Sequence, residues 1–369
     1  MGTPSVRLVG VIPNGWWCLF TARLPPGRAG EIRWCLLAAI AHDQYMSGSE
    51  AVDAVDRVAR EVGGMEVVDR LAALSGSDFT TVMLEIVRRR AARETPATVL
   101  RRYERDRFVR PGGTPWRSGR RAEDALLGCL SPETEVVALA PLVPLGTHSA
   151  LATVSQHKVV TAIRACEVAA DPTNALALEA AARRARARSG VVRLAAVQRV
   201  VRAQRFPAGW AAHFGLFATV TAGRDQGSLR FEQAALCEQL RFAVAALRAA
   251  GVRRVQVALT PLSDAGQRIA AATAEALADG AEPADIVMDD DRVGGRGYYR
   301  HLCFKVNALV DGPVDGTVEG TVAGTVAGTT EEIGDGGFTD WTAQLLADGK
   351  ERLLITGYGT DRLASLTAG

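Results

Sequence analysis

The stretch "RAQRFPAGWAAHFGLF", residues 202–217, constrains the fold more than any other part of the chain. An extended apolar run, "VVRLAAVQRVV", enters it. A Pro-Ala-Gly turn then interrupts the run, and alternating apolar residues return through His213 and Phe214. Two period-two runs joined by a short Gly/Pro loop predict an antiparallel strand pair. Arg202 stands at the end of the outgoing strand and His213 at the start of the returning one.

The rest of the chain supplies partners for that pair. "KVVTAIRACEVAADPT" (158–173), "RRVQVALT" and "GYYRHLCFKVNALV" also read as strands. "NALALEAAARRARARS", "RFEQAALCEQLRFAVAALRAAGV" and "LSDAGQRIAAATAEALADG" carry apolar residues at helical spacing. Residues 1–95 read as a mainly helical N-terminal region, through "AGEIRWCLLAAIAHDQYM", "SEAVDAVDRVAREV" and "SDFTTVMLEIVRRRAAR". Residues 96–133 read as a linker with one further helix, and its "RFVRPGGTPWRSGRR" (107–121) as a loop. Residues 134–369 form the α+β domain. Within it "DGTVEGTVAGTVAGTTEEIGDGG" (315–337) repeats every four residues, and 315–335 is expected to be a flexible insertion between two strands.

Composition narrows the function. The formal net charge of +2 gives no bulk attraction to nucleic acid or an anionic membrane. No run approaches the roughly 18 apolar residues of a membrane span. The start lacks the basic-apolar-small order of a signal peptide. Six cysteines without a CxxC pair read as buried thiols of a reducing compartment, so the cytoplasm is expected. Five histidines without paired spacing give no zinc motif. Asp289 to Asp291 read as a solvated acidic loop rather than a metal site. Lys158, Lys305 and Lys350 are the only lysines, so the abundant arginines carry less functional meaning one by one.

Four segments, in order, resemble the catalytic domain of class II aminoacyl-tRNA synthetases, in particular the histidyl-tRNA synthetase branch. That branch includes the regulatory subunit of ATP phosphoribosyltransferase. The opening stretch resembles motif 2: Arg202, Gly209 and Phe214 match in register, with Gln204 where the family has an acid. "DPTNALALEAA" resembles the Glu-Gly-Thr turn that binds the substrate's ammonium, through Asp171 and Thr173; both are also good helix caps. "DRVGGRGYYRHLCFKV" resembles the histidine-specific segment through Tyr298 and Tyr299. The family's catalytic arginine falls there on Gly294, flanked by Arg292 and Arg296. "DGGFTDWTAQLLADGKERLLITGYGTDRL" resembles motif 3 through Gly336, Gly337, Asp340, Gly359, Asp361 and Arg362, with Gly336 and Gly337 forming a turn before a helix. "RRAEDALLGCL…EVVALAP", with Pro141, resembles the dimer-forming motif 1.

The resemblance implies an antiparallel sheet flanked by helices and a homodimer. It implies ATP and Mg²⁺ as cofactors, with Arg202 and Arg296 as catalytic groups. ATP is expected on Arg202, Gln204, His213, Phe214, Gly359 and Arg362, and the substrate on Asp171, Thr173, Tyr298 and Tyr299. A strand arginine aimed at the α-phosphate would stabilise the charge that builds there. The family's remaining amino-acid contacts fall on Leu216, Val220, Ala211 and Thr339, so a substrate other than histidine is expected. The chain ends soon after motif 3, with no anticodon-binding domain following. The expected activity is therefore activation of an amino acid or related carboxylate as an acyl-adenylate, passed to a carrier protein, an amine or a tRNA. The alternative is a non-catalytic regulatory subunit of a partner enzyme. An RNA-binding role for the arginines of 88–121 is a third reading.

Overall fold

The computed structural model describes residues 5–12, 16–23, 54–206, 210–278, 284–294, 296–310 and 329–367, with 5–12, 16–23 and 329 as backbone alone. The chain divides into two compact units, residues 1–94 with 163–165, and residues 95–162 with 166–369. In the first unit β1 (Ser5–Ile12) and β2 (Trp16–Arg23) pair antiparallel. Three helices follow: α1 (54–61), α2 (Met65–Ala72) and α3 (Gly76–Ala91). Ser75 caps α3 by accepting from the Asp78 N–H, and three arginines close its last turn, where the helix dipole favours cations.

The second unit begins with α4 (Pro96–Arg105) and α5 (Trp116–Gly128). The end of the 107–121 stretch, expected as loop, is thus helix: Arg120 pairs with Glu123 at 3.0 Å and Asp124 at 2.7 Å on the same face. The strand β3 (Glu135–Val136) follows. A small sheet of β4 (Leu142–Pro144), β5 (Thr161–Ala162) and β6 (Cys166–Val168) flanks the short helix α6 (Thr147–Leu151). The expected strand at 158–173 is therefore two short strands, broken where Ala165 takes a positive φ of 52°. Next come α7 (Pro172–Arg186), β7 (Val192–Val201), β8 (His213–Arg224), α8 (Arg230–Ala249), β9 (Val255–Pro261) and α9 (Asp264–Ala278). The chain continues with β10 (Asp285–Met288), β11 (Arg300–Val310) and β12 (Thr329–Thr339), then α10 (Trp341–Leu346), β13 (Glu351–Gly359) and α11 (Thr360–Leu366).

Eight strands form one sheet in the order β10-β9-β11-β12-β13-β8-β7-β3. Its six central strands, β9 to β7, pair antiparallel, and each edge strand, β10 and β3, adds in parallel. The expected 202–217 hairpin is the β7–β8 pair, with Val201 opposite His213. Period-two alternation sorts the side chains. Ala195, Phe217, Leu354 and Phe304 meet α5, α8, α9 and α11 on one face. Leu194, Ala218, Ile355 and Cys303 meet α7 and α10 on the other. Both faces are covered, so β8 is buried along nearly its whole length rather than at every second residue.

The repeat region divides in two. Residues 315–328 of the expected insertion lie outside the described residues, whereas Thr329–Thr339 is strand β12 and not loop. Gly336 and Gly337 sit within β12 and form no turn. A Cβ on Gly336 would lie 2.6 Å from Phe304, and one on Gly337 2.7 Å from Tyr299. The glycines are there because neighbouring aromatic rings close over the strand, so their composition conceals a central strand.

One ion pair fastens α7 to β13. Arg184, on α7, is fully buried and donates to both carboxylate oxygens of Glu351, at 2.8 and 2.9 Å. Its remaining donors reach the carbonyls of Gly190 and Arg188. Replacing Arg184 with Leu leaves the buried Glu351 carboxylate to the part-exposed Arg224, at 3.2 Å, and should lower unfolding free energy by about 3 kcal/mol, the lower end for a broken buried pair; urea denaturation reads this directly.

Candidate functional site

The helical cover ends where β7 and β8 meet the N-terminus of α7, and polar side chains gather there. Arg202 continues the β7–β8 pairing by donating its backbone N–H to the Ala212 carbonyl at 2.9 Å. Its guanidinium forks. Nε donates to the Ala170 carbonyl at 2.9 Å, and Nη2 to Asp171 Oδ2 at 3.2 Å. The Phe214 ring lies 5.1 Å beneath the same cation, and Phe206 meets Phe214 edge-on. Asp171 uses its other oxygen to cap α7, accepting from the Thr173 N–H at 2.9 Å and the Thr173 hydroxyl at 2.7 Å. Asp171, Thr173, Arg202 and Phe214, named from sequence, thus form one cluster. Gly209 lies outside the described residues.

Tyr298 and Tyr299 form a second cluster with Trp341, Asp335 and Arg292, none of them expected from sequence as a site residue. Their rings stand 4.4 Å apart, and Tyr298 also stacks on Trp341 at 5.9 Å. The Tyr299 hydroxyl donates to Asp335 Oδ1. Arg292, 4% exposed, donates to Asp335 Oδ2 at 2.5 Å. Burial pushes the Asp335 carboxyl up from its ordinary pKa, with Arg292 pulling against it. Burial is the largest influence on Arg292 and works to lower it, but Asp335, Cys303 and the two tyrosines together outweigh it and hold the guanidinium charged. Burial, reinforced by Asp335, raises both tyrosines, so they remain neutral donors. Asp171 adds to the rise at Tyr298, which places that ring within electrostatic reach of both clusters.

Arg362, on α11, donates to the Glu332 carbonyl at 2.5 Å, and its cation lies 5.3 Å from the Trp210 ring. Lys305 on β11 pairs with Glu332 at 3.1 Å. Gly359 precedes α11, and a Cβ there would meet Arg362 Cβ at an ordinary 3.5 Å. Gly357, two residues earlier, faces open space.

The side chains of Arg296 and His213 are committed elsewhere. Arg296 donates to the carbonyls of Arg292 at 2.5 Å and Asp290 at 2.9 Å, closing its own loop. The backbone carbonyl of Gln204, not its side-chain amide, accepts from Arg107 at 2.7 Å. His213 accepts on Nδ1 from Arg199 at 2.9 Å, so Nε2 carries the proton that meets the Arg110 carbonyl at 2.5 Å. Arg292 and Asp335 had a readable signal, since one flanks Gly294 and the other abuts Gly336. Lys305 stood out only as one of three lysines.

These groups suit a nucleotide better than a resident metal. Arg202, Lys305 and Arg362 offer cations, Phe214 a flat ring, and Gly357 room against the sheet. The acids of the site each face a cation of the chain: Asp171 faces Arg202, Asp335 faces Arg292, Glu332 faces Lys305, and Asp361 faces Arg199 at 3.2 Å. Among the described residues no group of three or more His, Cys, Asp or Glu is placed to hold a metal ion. No step is therefore assigned to Mg²⁺.

The fold has counterparts among solved structures. A Bacillus halodurans protein named as an ATP phosphoribosyltransferase regulatory subunit/histidyl-tRNA synthetase superposes with a TM-score of 0.50. The match has 12% identity and covers 71% of this chain and 83% of that one. The fold is that of a class II aminoacyl-tRNA synthetase catalytic domain. A histidine–tRNA ligase subunit from Alicyclobacillus acidocaldarius matches with a TM-score of 0.49 and 15% identity, over 70% of this chain and 96% of that one. Histidyl-tRNA synthetase of S. aureus matches with a TM-score of 0.49 and 15% identity, over 68% of this chain. This chain spans 65% of that enzyme's length. No family model and no curated protein matches the chain. Among the described residues no helix is long and apolar enough to cross a membrane.

The class II sheet also carries a protected thiol. Cys303 is fully buried opposite Gly337, and burial pushes its pKa up to about 11, with Arg292 opposing. At pH 8 it should resist iodoacetamide in the folded protein and react once guanidinium unfolds the chain; peptide mass mapping distinguishes the two states.

Proposed function

We propose that the chain activates an amino acid or related carboxylate as an acyl-adenylate. The observation that carries the reading is the Arg202 fork on Ala170 and Asp171. It holds a guanidinium at the end of a strand, over an aromatic ring and beside an acid that can receive a substrate's cationic group. ATP supplies the electrophilic α-phosphorus: a carboxylate oxygen bonds to it, the bond to the pyrophosphate oxygen breaks, and pyrophosphate leaves.

In this reading Arg202 faces the α-phosphate and stabilises the charge that accumulates in the transition state. Binding of the phosphate draws Arg202 from Asp171, which frees that carboxylate for the substrate's ammonium. The two groups thus neutralise each other only while the site is empty of ligand. Phe214 supports the adenine, Arg362 with Trp210 grips the far end of the nucleotide, and Arg292 supplies a buried cation two residues from Gly294. Mg²⁺ would accompany the nucleotide as its counter-ion, with no residue of this chain assigned to hold it. Tyr298 and Tyr299 wall the substrate side, and apolar Leu216 and Val220 in place of polar contacts favour a substrate other than histidine. A carrier protein, an amine or a tRNA would accept the acyl group, and a homodimer would form through α5 and β3.

The second reading is a regulatory subunit that binds ligand without turnover. The backbone commitment of Arg296 and the glycine at 294 favour it, since both withdraw an arginine from the site. ATP–pyrophosphate exchange against pooled amino acids and carboxylic acids separates the two. Exchange with one pool is expected, and Arg202→Ala should lower its rate by roughly 10²–10³-fold. Ligand binding without exchange in any pool would establish the regulatory reading instead.

A further inference from the structure

Behind the Arg202 fork stands a buried histidine that the resemblance to synthetases does not assign. His148, on α6, is 1% exposed and makes contacts on both ring nitrogens. Nε2 lies 3.0 Å from the backbone N of Ala170. An amide N–H only donates, so Nε2 must present its lone pair, and the ring proton resides on Nδ1. Nδ1 lies 2.9 Å from Asn174 Oδ1, which accepts that proton. The ring therefore bridges the residue before Asp171 to the first turn of α7, in a single tautomer.

The bridge is itself fixed from behind. Glu167, fully buried, accepts from the backbone N–H of His148 at 2.9 Å and of Gly146 at 3.0 Å, and from Gln156 Nε2 at 2.8 Å. On the far side, the carbonyl of Ala170 receives Arg202 Nε. Its neighbour Ala169 accepts the Val201 N–H at 3.1 Å. One peptide segment, 169–171, is thus held by His148 at its N–H and holds Arg202 at its carbonyl and carboxylate.

We infer that His148 is a positioning residue: its neutral Nδ1–H tautomer sets the 170–171 segment and thereby aims Arg202. This rests on the adenylation reading for its consequence in catalysis, but not for its geometry. Glutamine preserves one acceptor and one donor at this place, while leucine removes both and leaves the Ala170 N–H unpaired.

The test uses the full chain with His148→Leu, His148→Gln, Arg202→Ala and the Leu/Ala double variant. In ¹⁵N-labelled protein, the Nε–H of Arg202 should exchange slowly with solvent in the wild type and in His148→Gln. It should exchange rapidly in His148→Leu. The Nε–H of buried Arg184 should stay protected in all of them. In pyrophosphate exchange, His148→Leu should lower kcat roughly ten- to a hundred-fold with little change in KM for ATP, and His148→Gln should restore most of it. In the Arg202→Ala background the leucine should cost nothing further. Asn174→Leu, which removes the acceptor of the Nδ1 proton and leaves the Ala170 contact in place, should give a smaller loss of the same kind and serves if His148→Leu does not fold. A protected Arg202 Nε–H in both His148→Leu and Asn174→Leu, or a loss as large without Arg202 as with it, would overturn the inference. The expected NMR pattern in a protein without any exchange activity would sink the adenylation reading and leave the positioning role standing.

Discussion

Covering a sheet on both faces leaves chemistry nowhere to stand except where the cover stops. Here α5, α8, α9 and α11 seal one face and α7 with α10 the other. Apolar side chains fill both interfaces, so a charged group within them must bring its own counter-charge, as Arg184 does with Glu351. At the N-terminus of α7 the cover ends. There the strand ends of β7 and β8, the loop before β11 and the middle of β12 present arginines, acids and tyrosines together.

The electrostatics of that edge follow from partial burial. Arg292 and Tyr299 are buried, and both hold the part-exposed Asp335. Arg202 and Asp171 are both part-exposed and hold each other more loosely, at 3.2 Å. The trio, anchored by two buried side chains, suits a fixed wall. The part-exposed pair suits groups that exchange one another for a ligand, because water already meets part of their solvation. A shared fold does not by itself carry a function, so the side chains at this edge decide what the chain does.

Much of this was legible in the residues. The β7–β8 pair was readable from two period-two runs around a Gly/Pro turn, and the order of four short motifs pointed to the sheet as a whole. The misreadings have physical causes. Gly336 and Gly337 looked like a turn because glycine composition reports backbone freedom. Here they mark the close approach of Phe304 and Tyr299 to a central strand. The 107–121 stretch looked like loop because its prolines and glycines precede α5, and composition carries no sharp boundary. The roles of Lys305 and His148 were invisible: Lys305 stands at the far end of the segment read for Tyr298 and Tyr299, in a position that matched nothing, and His148 lies beside no motif.

By itself the sequence determined where strands and helices alternate, that both sheet faces are apolar, and that Asp171, Arg202, Tyr298 and Arg362 stand at strand or helix ends. Periodicity and end-signals are local, and local rules suffice for them. Only the tertiary structure decided that Asp171 meets Arg202, that Asp335 joins Arg292 and Tyr299, and that His148 stands behind them. Those contacts join residues about 20 to 40 positions apart. Their partners are chosen by strand register and helix docking, which no single segment encodes.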